Sequence, residues 1–320
     1  MGRNSTRRLR RALPLVLPTV LIAGVVPAVA ADAQAPVHPA HAARAAAVQI
    51  CHSTAHPYIA KKLSADIVKS LKSRRSYAAI GVYDRKKHLT CQWRQRKHFD
   101  SASIVKATII SAFLRKTHGR ITKSQRSLAW KMITKSDNNA ASALWNKTGR
   151  ASLNGFLHAA GMTSTRLGSG GYWGLTQVTA NNELTLLRLL TRDNKVIGPK
   201  SRRYVQYLMK NVTRSQRWGT PAGAPHGVTV HVKNGWLPRS THGWRINSLG
   251  TFNGSGHDYM IDVLSYNNPS MSYGVTTVER VSRLVHRDLN PGAKTAVQMS
   301  QPNRISNGSD GSAPFQVGGE

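Results

Sequence analysis

Acidic side chains are scarce in this sequence. Its 320 residues include 13 Asp and Glu residues but 46 Lys and Arg residues, which gives a formal net charge of +33. Such a charge favours anionic partners such as nucleic acid, an anionic membrane or an anionic cell-wall polymer. However, the basic residues are spread along the chain, without zinc-finger spacing, an RNP-like aromatic motif or a block of five consecutive cations. Nucleic acid is therefore disfavoured, an ordinary solvated surface is the favoured interpretation, and binding to anionic cell-wall polymers is the alternative.

Cysteine is also scarce, since Cys51 and Cys91 are the only two copies. In a protein from an oxidising compartment an isolated pair favours a disulfide, and two buried free thiols are the alternative. The 13 histidines are scattered and show no metal-ligand spacing. The sequence therefore predicts no metal site, and nothing in it indicates another cofactor.

The longest uncharged segment lies near the N-terminus. An arginine-rich head precedes a mostly apolar run over residues 12–30, and small residues with Ala-x-Ala spacing follow it. This pattern predicts an export signal over residues 1–35, of the general secretory type or the twin-arginine type. A retained membrane anchor is the alternative, but Pro14, Pro18 and Pro27 argue against a spanning helix. We therefore expect a secreted or cell-wall-associated protein without a stable membrane span once the signal is removed.

The rest of the chain divides by composition into a linker, a domain and a tail. Residues 36–50 are rich in Ala, Pro and His, and residues 291–320 are rich in Gly, Ser, Asn and Gln, which predicts disorder there. In the domain between them, residues 51–290, apolar periodicity predicts a helix and two strands, then six helices, then three strands and a closing helix. This order predicts an α+β fold, with an antiparallel sheet flanked by the terminal helices, an all-helical lobe and a site at their seam.

Two short polar motifs begin helices in the central part of the domain. In the first, Ser-x-x-Lys, Lys106 follows Ser103 by one helical turn, so its amine can reach the serine hydroxyl and take its proton. The second is Ser136-Asp137-Asn138, at the start of a later predicted helix. Alone, either motif is typical of an ordinary helix start.

A third motif, Lys233-Asn234-Gly235, directly follows a strand predicted over residues 228–232. Lys147-Thr148-Gly149 matches the pattern Lys-Thr-Gly more closely, but it ends a predicted helix, where glycine is the usual stop residue. Because the motif needs a strand edge that faces the serine, we assign it to the later segment.

The three motifs, in this order, resemble those of the superfamily of class A β-lactamases and penicillin-binding proteins. The resemblance covers roughly residues 52–290. It implies that Ser103 is acylated by a β-lactam or by the D-Ala-type amide of a peptidoglycan stem peptide. It also implies that Lys106 is the base or proton shuttle, that Ser136 passes a proton to the leaving nitrogen, and that Lys233 supplies positive potential beside them.

The same resemblance implies a set of residues that bind the substrate. The family's oxyanion hole corresponds to the backbone N–H groups of the nucleophile and of Trp236, and Gly235 lets the strand approach the ligand. Asn138 is expected to hold the lysine and the substrate amide. Asn234, which replaces the usual Thr or Ser, and Arg245 on the next strand are expected to bind a substrate carboxylate.

One element of the class A pattern is missing. In class A β-lactamases a glutamate on the omega loop activates the water that hydrolyses the acyl-enzyme. Here Glu183 and Asp193 are the only acidic residues between Asn138 and Asp258, and Glu183 is expected to be a charge at a helix N-terminus. Acylation without rapid release is therefore expected. Three functions stay open: a β-lactamase-like hydrolase, a D-Ala-D-Ala carboxypeptidase or transpeptidase, and a non-catalytic cell-wall binding protein.

Overall fold

The computed structural model describes residues 48–295. The predicted export signal, most of the predicted linker and the predicted tail from residue 296 onward lie outside this range. The α-helices in the described range are α1 (Pro57–Lys72), α2 (Val105–Lys116), α3 (Lys123–Thr134), α4 (Asn138–Thr148), α5 (Arg150–Ala159), α6 (Ala180–Thr191), α7 (Pro199–Lys210) and α8 (Met271–Leu289). Over the same residues the strands are β1 (Cys51–His52), β2 (Tyr77–Asp84), β3 (Leu89–Trp93), β4 (Phe99–Asp100), β5 (Gln177–Val178), β6 (Thr229–Leu237), β7 (Arg245–Gly254) and β8 (His257–Tyr266). None of the helices described is both long and apolar enough to cross a bilayer.

Six strands form one antiparallel sheet in the order β1-β3-β2-β8-β7-β6, and β4 pairs with β5 in a small second sheet. Cys51 on β1 lies directly opposite Cys91 on β3, and the two are joined by a disulfide. The predicted bridge is therefore confirmed. At the other edge lies β6, the strand that contains the Lys-Asn-Gly motif.

The sheet separates two apolar cores. Helices α1 and α8 cover one face, where Leu63 and Ile67 of α1 are buried together with Val278 and Val281 of α8. The central helices cover the other face and bury residues such as Ile109 of α2. Helices α1 and α8 present their apolar residues at a spacing of three or four, so one side of each is buried and the other solvated, whereas α2 is buried on all sides from Val105 to Leu114. The arrangement confirms the predicted α+β fold.

Polar caps determine where the central helices begin. Thr122 and Gln125 form a reciprocal capping box at the start of α3, and Asp137 accepts a hydrogen bond of 2.7 Å from the Ala140 N–H at the start of α4. Caps of this kind stabilise a helix by about 1 kcal/mol each. Gly149 ends α4 with a φ of 77°, which a residue with a Cβ rarely adopts, so the Lys-Thr-Gly segment is a helix end as expected.

The structure differs from the predictions in three local details. The two-residue strands β1, β4 and β5 were not predicted, because so short a strand shows no periodicity. Strand β6 is longer than predicted, and its motif lies inside the strand rather than after it. Ser103 lies in a 3-10 turn, Ala102–Ile104, and not in the α-helix, because Ala102 has a left-handed φ of 47° that no α-helix contains.

Candidate active site

Ser103 lies where the edge of the sheet meets the helical lobe. Its 3-10 turn leads directly into α2 and contacts β6, and its side chain is buried. The left-handed Ala102 before it costs about 1 kcal/mol or more, a kind of backbone strain that is concentrated at functional sites. Because the N-terminus of a helix has a partial positive charge, this position favours negative charge developing at the serine.

Two buried lysines converge on the hydroxyl of Ser136. The amines of Lys106 and Lys233 each lie 3.0 Å from Ser136 Oγ. Lys106 also donates to the Ser136 carbonyl at 2.6 Å and to Asn138 Oδ1 at 2.7 Å, while Lys233 donates to the Asn234 carbonyl at 2.9 Å. Since the Ser136 oxygen accepts from both amines, its own hydrogen can be donated to a substrate. The structure thus brings all three motifs together.

Burial changes the acid–base behaviour of Lys233. The side chain is fully buried, and the loss of hydration lowers the pKa of Lys233 to about 7. A group with a pKa near neutrality can both release and take up a proton at physiological pH. Lys233 can therefore exchange protons with Ser136 in addition to supplying positive potential.

Strand β6 passes so close to Ser103 that only glycine fits at position 235. A Cβ added to Gly235 would lie 2.8 Å from the backbone nitrogen of Ser103 and 2.9 Å from that of Ile104. Trp236, the next residue of β6, follows this point of closest approach. The two backbone segments predicted to form the oxyanion hole are therefore adjacent, as stabilisation of an oxyanion requires.

Two of the predicted substrate-binding side chains have other partners. Asn234 donates both amide hydrogens to backbone carbonyls, those of Gln216 and Trp218, each at 2.8 Å. Arg245 donates from Nε to Asp100 at 2.9 Å and is buried. Both amide hydrogens of Asn234 are therefore used inside the protein, whereas the bonds of Arg245 use only Nε and Nη1, so its carboxylate-binding role stays a prediction. Asn234 instead stabilises the segment after α7, and Arg245 stabilises β4.

Sequence reasoning missed the residues that hold the segment before Ser103. Asn247 on β7 donates to the carbonyls of Asp100 at 2.9 Å and Ser101 at 3.0 Å. On the other side, the Ser101 N–H donates to the Thr176 carbonyl at 2.8 Å. Because β7 also contains Arg, Ser, Thr and a second Asn, no signal in the sequence singled out Asn247.

Trp173 was also missed. It lies between α5 and α6 in a glycine-rich segment. The indole N–H donates to Ser142 at 3.0 Å, and the ring centroid lies 4.7 Å from the Lys106 amine. A buried aromatic ring therefore covers this side of Lys106, and its face favours contact with a cation.

The two acidic residues between Asn138 and Asp258 lie in very different environments. Asp193 pairs with Arg202 on α7. Glu183 lies in the first turn of α6, as expected, but its carboxyl is fully buried and has no hydrogen-bond partner among the residues described. Burial raises the pKa of Glu183 to about 8. It is therefore mainly neutral at pH 7, and the prediction of a helix-terminal charge was wrong.

Asp262 on β8 is the second buried carboxyl in this region. Its oxygens likewise have no hydrogen-bond partner within residues 48–295, and burial together with the charge of Glu183 raises the pKa of Asp262 well above its usual range. Gly81, its neighbour on β2, provides the space, because a Cβ there would lie 2.1 Å from an Asp262 oxygen. The strand β8 is separated from β6 by β7, so this carboxyl pair is distinct from the lysine–serine cluster.

We expect Glu183→Gln to stabilise the protein more at pH 8 than at pH 5. The carboxyl loses its proton near pH 4.5 when unfolded and near pH 8 when folded. Between these values the folded state binds more protons, so the free energy of unfolding falls as pH rises, by up to about 1.4 kcal/mol per pH unit. Because glutamine does not ionise, the free energy of unfolding of Glu183→Gln should not fall in this way.

Urea unfolding at both pH values measures the effect. The control is Glu279→Gln, which changes a carboxylate that is paired with Arg283. The same pH dependence in Glu183→Gln and the unmodified protein would contradict the expectation.

Comparisons with known proteins identify the family and the fold of this chain. The model of the β-lactamase enzyme family matches residues 118–289, a range that begins after Ser103 and Lys106. The fold is similar to that of a class A β-lactamase from Bacteroides cellulosilyticus DSM 14838, with 19% identity over 72% of this chain and 98% of that one and a TM-score of 0.62. An ancestral class A β-lactamase is similar over 70% of this chain and 98% of its own, with 22% identity and a TM-score of 0.60. No curated protein matches the sequence.

Within the described residues no group of three or more His, Cys, Asp or Glu side chains could hold a metal ion. The site is instead built from a serine hydroxyl, a second serine and two buried lysines, on a fold shared with class A β-lactamases. Since the family model matches more than half of the sequence, the assignment does not depend on the fold alone. The chain belongs to the β-lactamase enzyme family.

Proposed function

We propose that this protein is an exported serine hydrolase whose Ser103 is acylated by a β-lactam or by a D-Ala-type peptide amide. The observation that supports this most strongly is the Ser136 hydroxyl, held 3.0 Å from the amines of both Lys106 and Lys233. Family membership supports β-lactams as the substrate class. The disulfide supports export, because disulfides persist mainly in oxidising compartments.

In the proposed reaction the Ser103 oxygen attacks the carbonyl carbon and the carbon–nitrogen bond of the amide breaks. Lys106 accepts the serine proton, and Ser136 gives a proton to the leaving nitrogen and is reprotonated by a lysine amine. The backbone N–H groups of Ser103 and Trp236 stabilise the negative oxygen of the tetrahedral intermediate. The products are an ester at Ser103 and a free amine, which remains attached to the acyl group when the substrate is a β-lactam.

The acyl-enzyme is proposed to be long-lived. Hydrolysis of the ester needs a base that activates water. Glu183 is buried against the sheet and Asp193 is paired with Arg202, while the Trp173 ring covers one side of Lys106. These environments favour a second candidate function, that of a D-Ala-D-Ala carboxypeptidase or transpeptidase of the penicillin-binding type.

Incubation with a penicillin distinguishes these functions when intact protein mass and free drug are followed together. We expect an adduct with the full mass of the drug that persists after the excess drug is removed, and no adduct on Ser103→Ala. Rapid loss of drug without a lasting adduct would identify a β-lactamase. Neither an adduct nor loss of drug would contradict acylation by a β-lactam and favour a non-catalytic wall-binding protein.

A further inference from the structure

One face of the helical lobe combines cations and aromatic rings and contains no acidic residue. Helices α3 and α7 pack against each other, and neither contains Asp or Glu. Their exposed residues recur at a spacing of three or four, so they form one face on each helix. We call this surface the basic-aromatic stripe, and it consists of Lys123, Arg126 and Trp130 on α3 and Arg203, Tyr207 and Lys210 on α7.

The aromatic rings join the two helices at the surface. The ring centroids of Trp130 and Tyr207 lie 5.9 Å apart, yet the two residues stay 37% and 53% exposed. The Arg126 guanidinium lies over the ring of Tyr204, 5.7 Å from its centroid. Adjacent exposed rings leave apolar area in water, which is typical of a binding surface.

The positive charge of the stripe is not neutralised by neighbouring carboxylates. Over residues 48–295 none of the ion pairs involves a residue of the stripe. The acidic residues closest in sequence to the two helices are Asp137 and Asp193, which cap α4 and pair with Arg202, respectively. The stripe can therefore attract a polyanion, and cations that line one face focus that attraction.

The stripe ends beside the candidate active site. The Thr213 N–H, just after α7, donates to the carbonyl of Thr134 at the end of α3, and Gln216 donates to the carbonyl of Lys135 at 3.0 Å. Lys135 directly precedes Ser136, and the Gln216 carbonyl accepts the hydrogen bond from Asn234. An extended polymer on the stripe would thus lie next to the site that holds the reacting amide.

We propose that the basic-aromatic stripe binds an anionic glycan polymer. Its cations would contact the carboxylates or phosphates of the polymer, and the rings of Trp130 and Tyr207 would pack against the apolar faces of sugar rings. The disulfide favours this partner over nucleic acid, because it indicates an oxidising compartment, where glycans are the prevalent polyanions. The inference rests on the proposed function only in that the polymer would bring the peptide amide to Ser103.

A matched pair of charge variants tests the cations of the stripe. The probe is fluorescein-labelled polygalacturonate, and binding is measured by anisotropy at low salt. The triple variant Lys123→Gln, Arg126→Gln and Arg203→Gln is expected to bind about tenfold more weakly, since each lost cation removes counterion release. The control variant replaces the same number of exposed cations on α1 by glutamine, which leaves the stripe intact, and its residues are Lys61, Lys69 and Lys72. Equal losses in both triple variants would show diffuse attraction and overturn the proposal.

The aromatic residues have a control of their own. We expect Trp130→Ala with Tyr207→Ala to weaken binding of polygalacturonate but not of polyacrylate, a polyanion without sugar rings. Tyr58→Ala, at an exposed tyrosine on α1, should change neither. Tighter binding of single-stranded DNA with the same dependence on the two rings would instead identify a nucleic-acid surface. Ser103→Ala is expected to bind like the unmodified protein, so this measurement stays informative even if acylation is not observed.

Discussion

Replacing Lys106 by methionine is expected to slow acylation of Ser103 by about 10²–10⁴-fold, because the lysine is the proposed acceptor of the serine proton. Methionine keeps most of the length and volume of the side chain and removes the amine, which is fully buried and donates to Ser136 and Asn138. The rate at which the penicillin adduct appears in the intact mass measures the effect.

The same substitution also costs stability, so it needs a control for folding. The lost donors leave buried acceptors in Ser136 and a half-buried acceptor in Asn138 without this partner, at a cost of about 1–3 kcal/mol. Lys116→Met, on the same helix, removes an amine that donates to the Lys147 and Thr148 carbonyls at 2.8 and 2.9 Å. Ser103 in the Lys116→Met variant should be acylated at the same rate as in the unmodified protein. An acylation rate near that of the unmodified protein in folded Lys106→Met would exclude the lysine as the base.

Gly235→Ala is expected to reduce both acylation and stability. The new methyl group would lie 2.8 Å from the Ser103 nitrogen and 2.9 Å from the Ile104 nitrogen, and both contacts are with backbone that cannot rotate away. Relief of the overlap should cost about 1–3 kcal/mol of unfolding free energy. It also separates the two proposed oxyanion donors, which should lower the acylation rate by about 10²–10³-fold. Thermal unfolding and adduct formation measure the two effects separately.

Gly155→Ala is the matched control for that substitution. This glycine lies within α5, and a Cβ there would meet no atom within 4 Å. Alanine should therefore stabilise the protein by about 0.4–1 kcal/mol and leave acylation unchanged. If Ser103 were acylated as fast in Gly235→Ala as in Gly155→Ala, the close approach of β6 to Ser103 would have no role in the reaction.

The lysine–serine cluster and the carboxyl pair show opposite uses of burial. Lys233 loses hydration beside Ser136, and its pKa falls to about 7. The amine can therefore both release and take up a proton near neutral pH. Glu183 loses hydration beneath the sheet, and its pKa rises to about 8, so its proton is retained and the group is neutral at pH 7. Burial of Lys233 therefore favours proton transfer at the site, whereas burial of Glu183 removes a negative charge from the helical lobe.

The sequence by itself determined the features that depend on residues close to one another along the chain. Apolar spacing identified the helices and the longer strands, and polar residues such as Asp137 marked helix starts because a cap bonds only a few residues along the chain. The order of the three motifs indicated the superfamily, and the two cysteines indicated the disulfide. Glycine at the end of a helix was enough to set aside Lys147-Thr148-Gly149 as the third motif.

Only the tertiary structure decided which distant groups meet. Lys106 and Lys233, which lie far apart in the sequence, both donate to one serine oxygen, while Asn234 donates both of its amide hydrogens to the segment after α7. The neutral state of Glu183 likewise depends on the complete burial of its carboxyl. Hydrogen-bond partners and hydration are set by whatever the fold packs around a side chain, and local spacing contains no information about those neighbours.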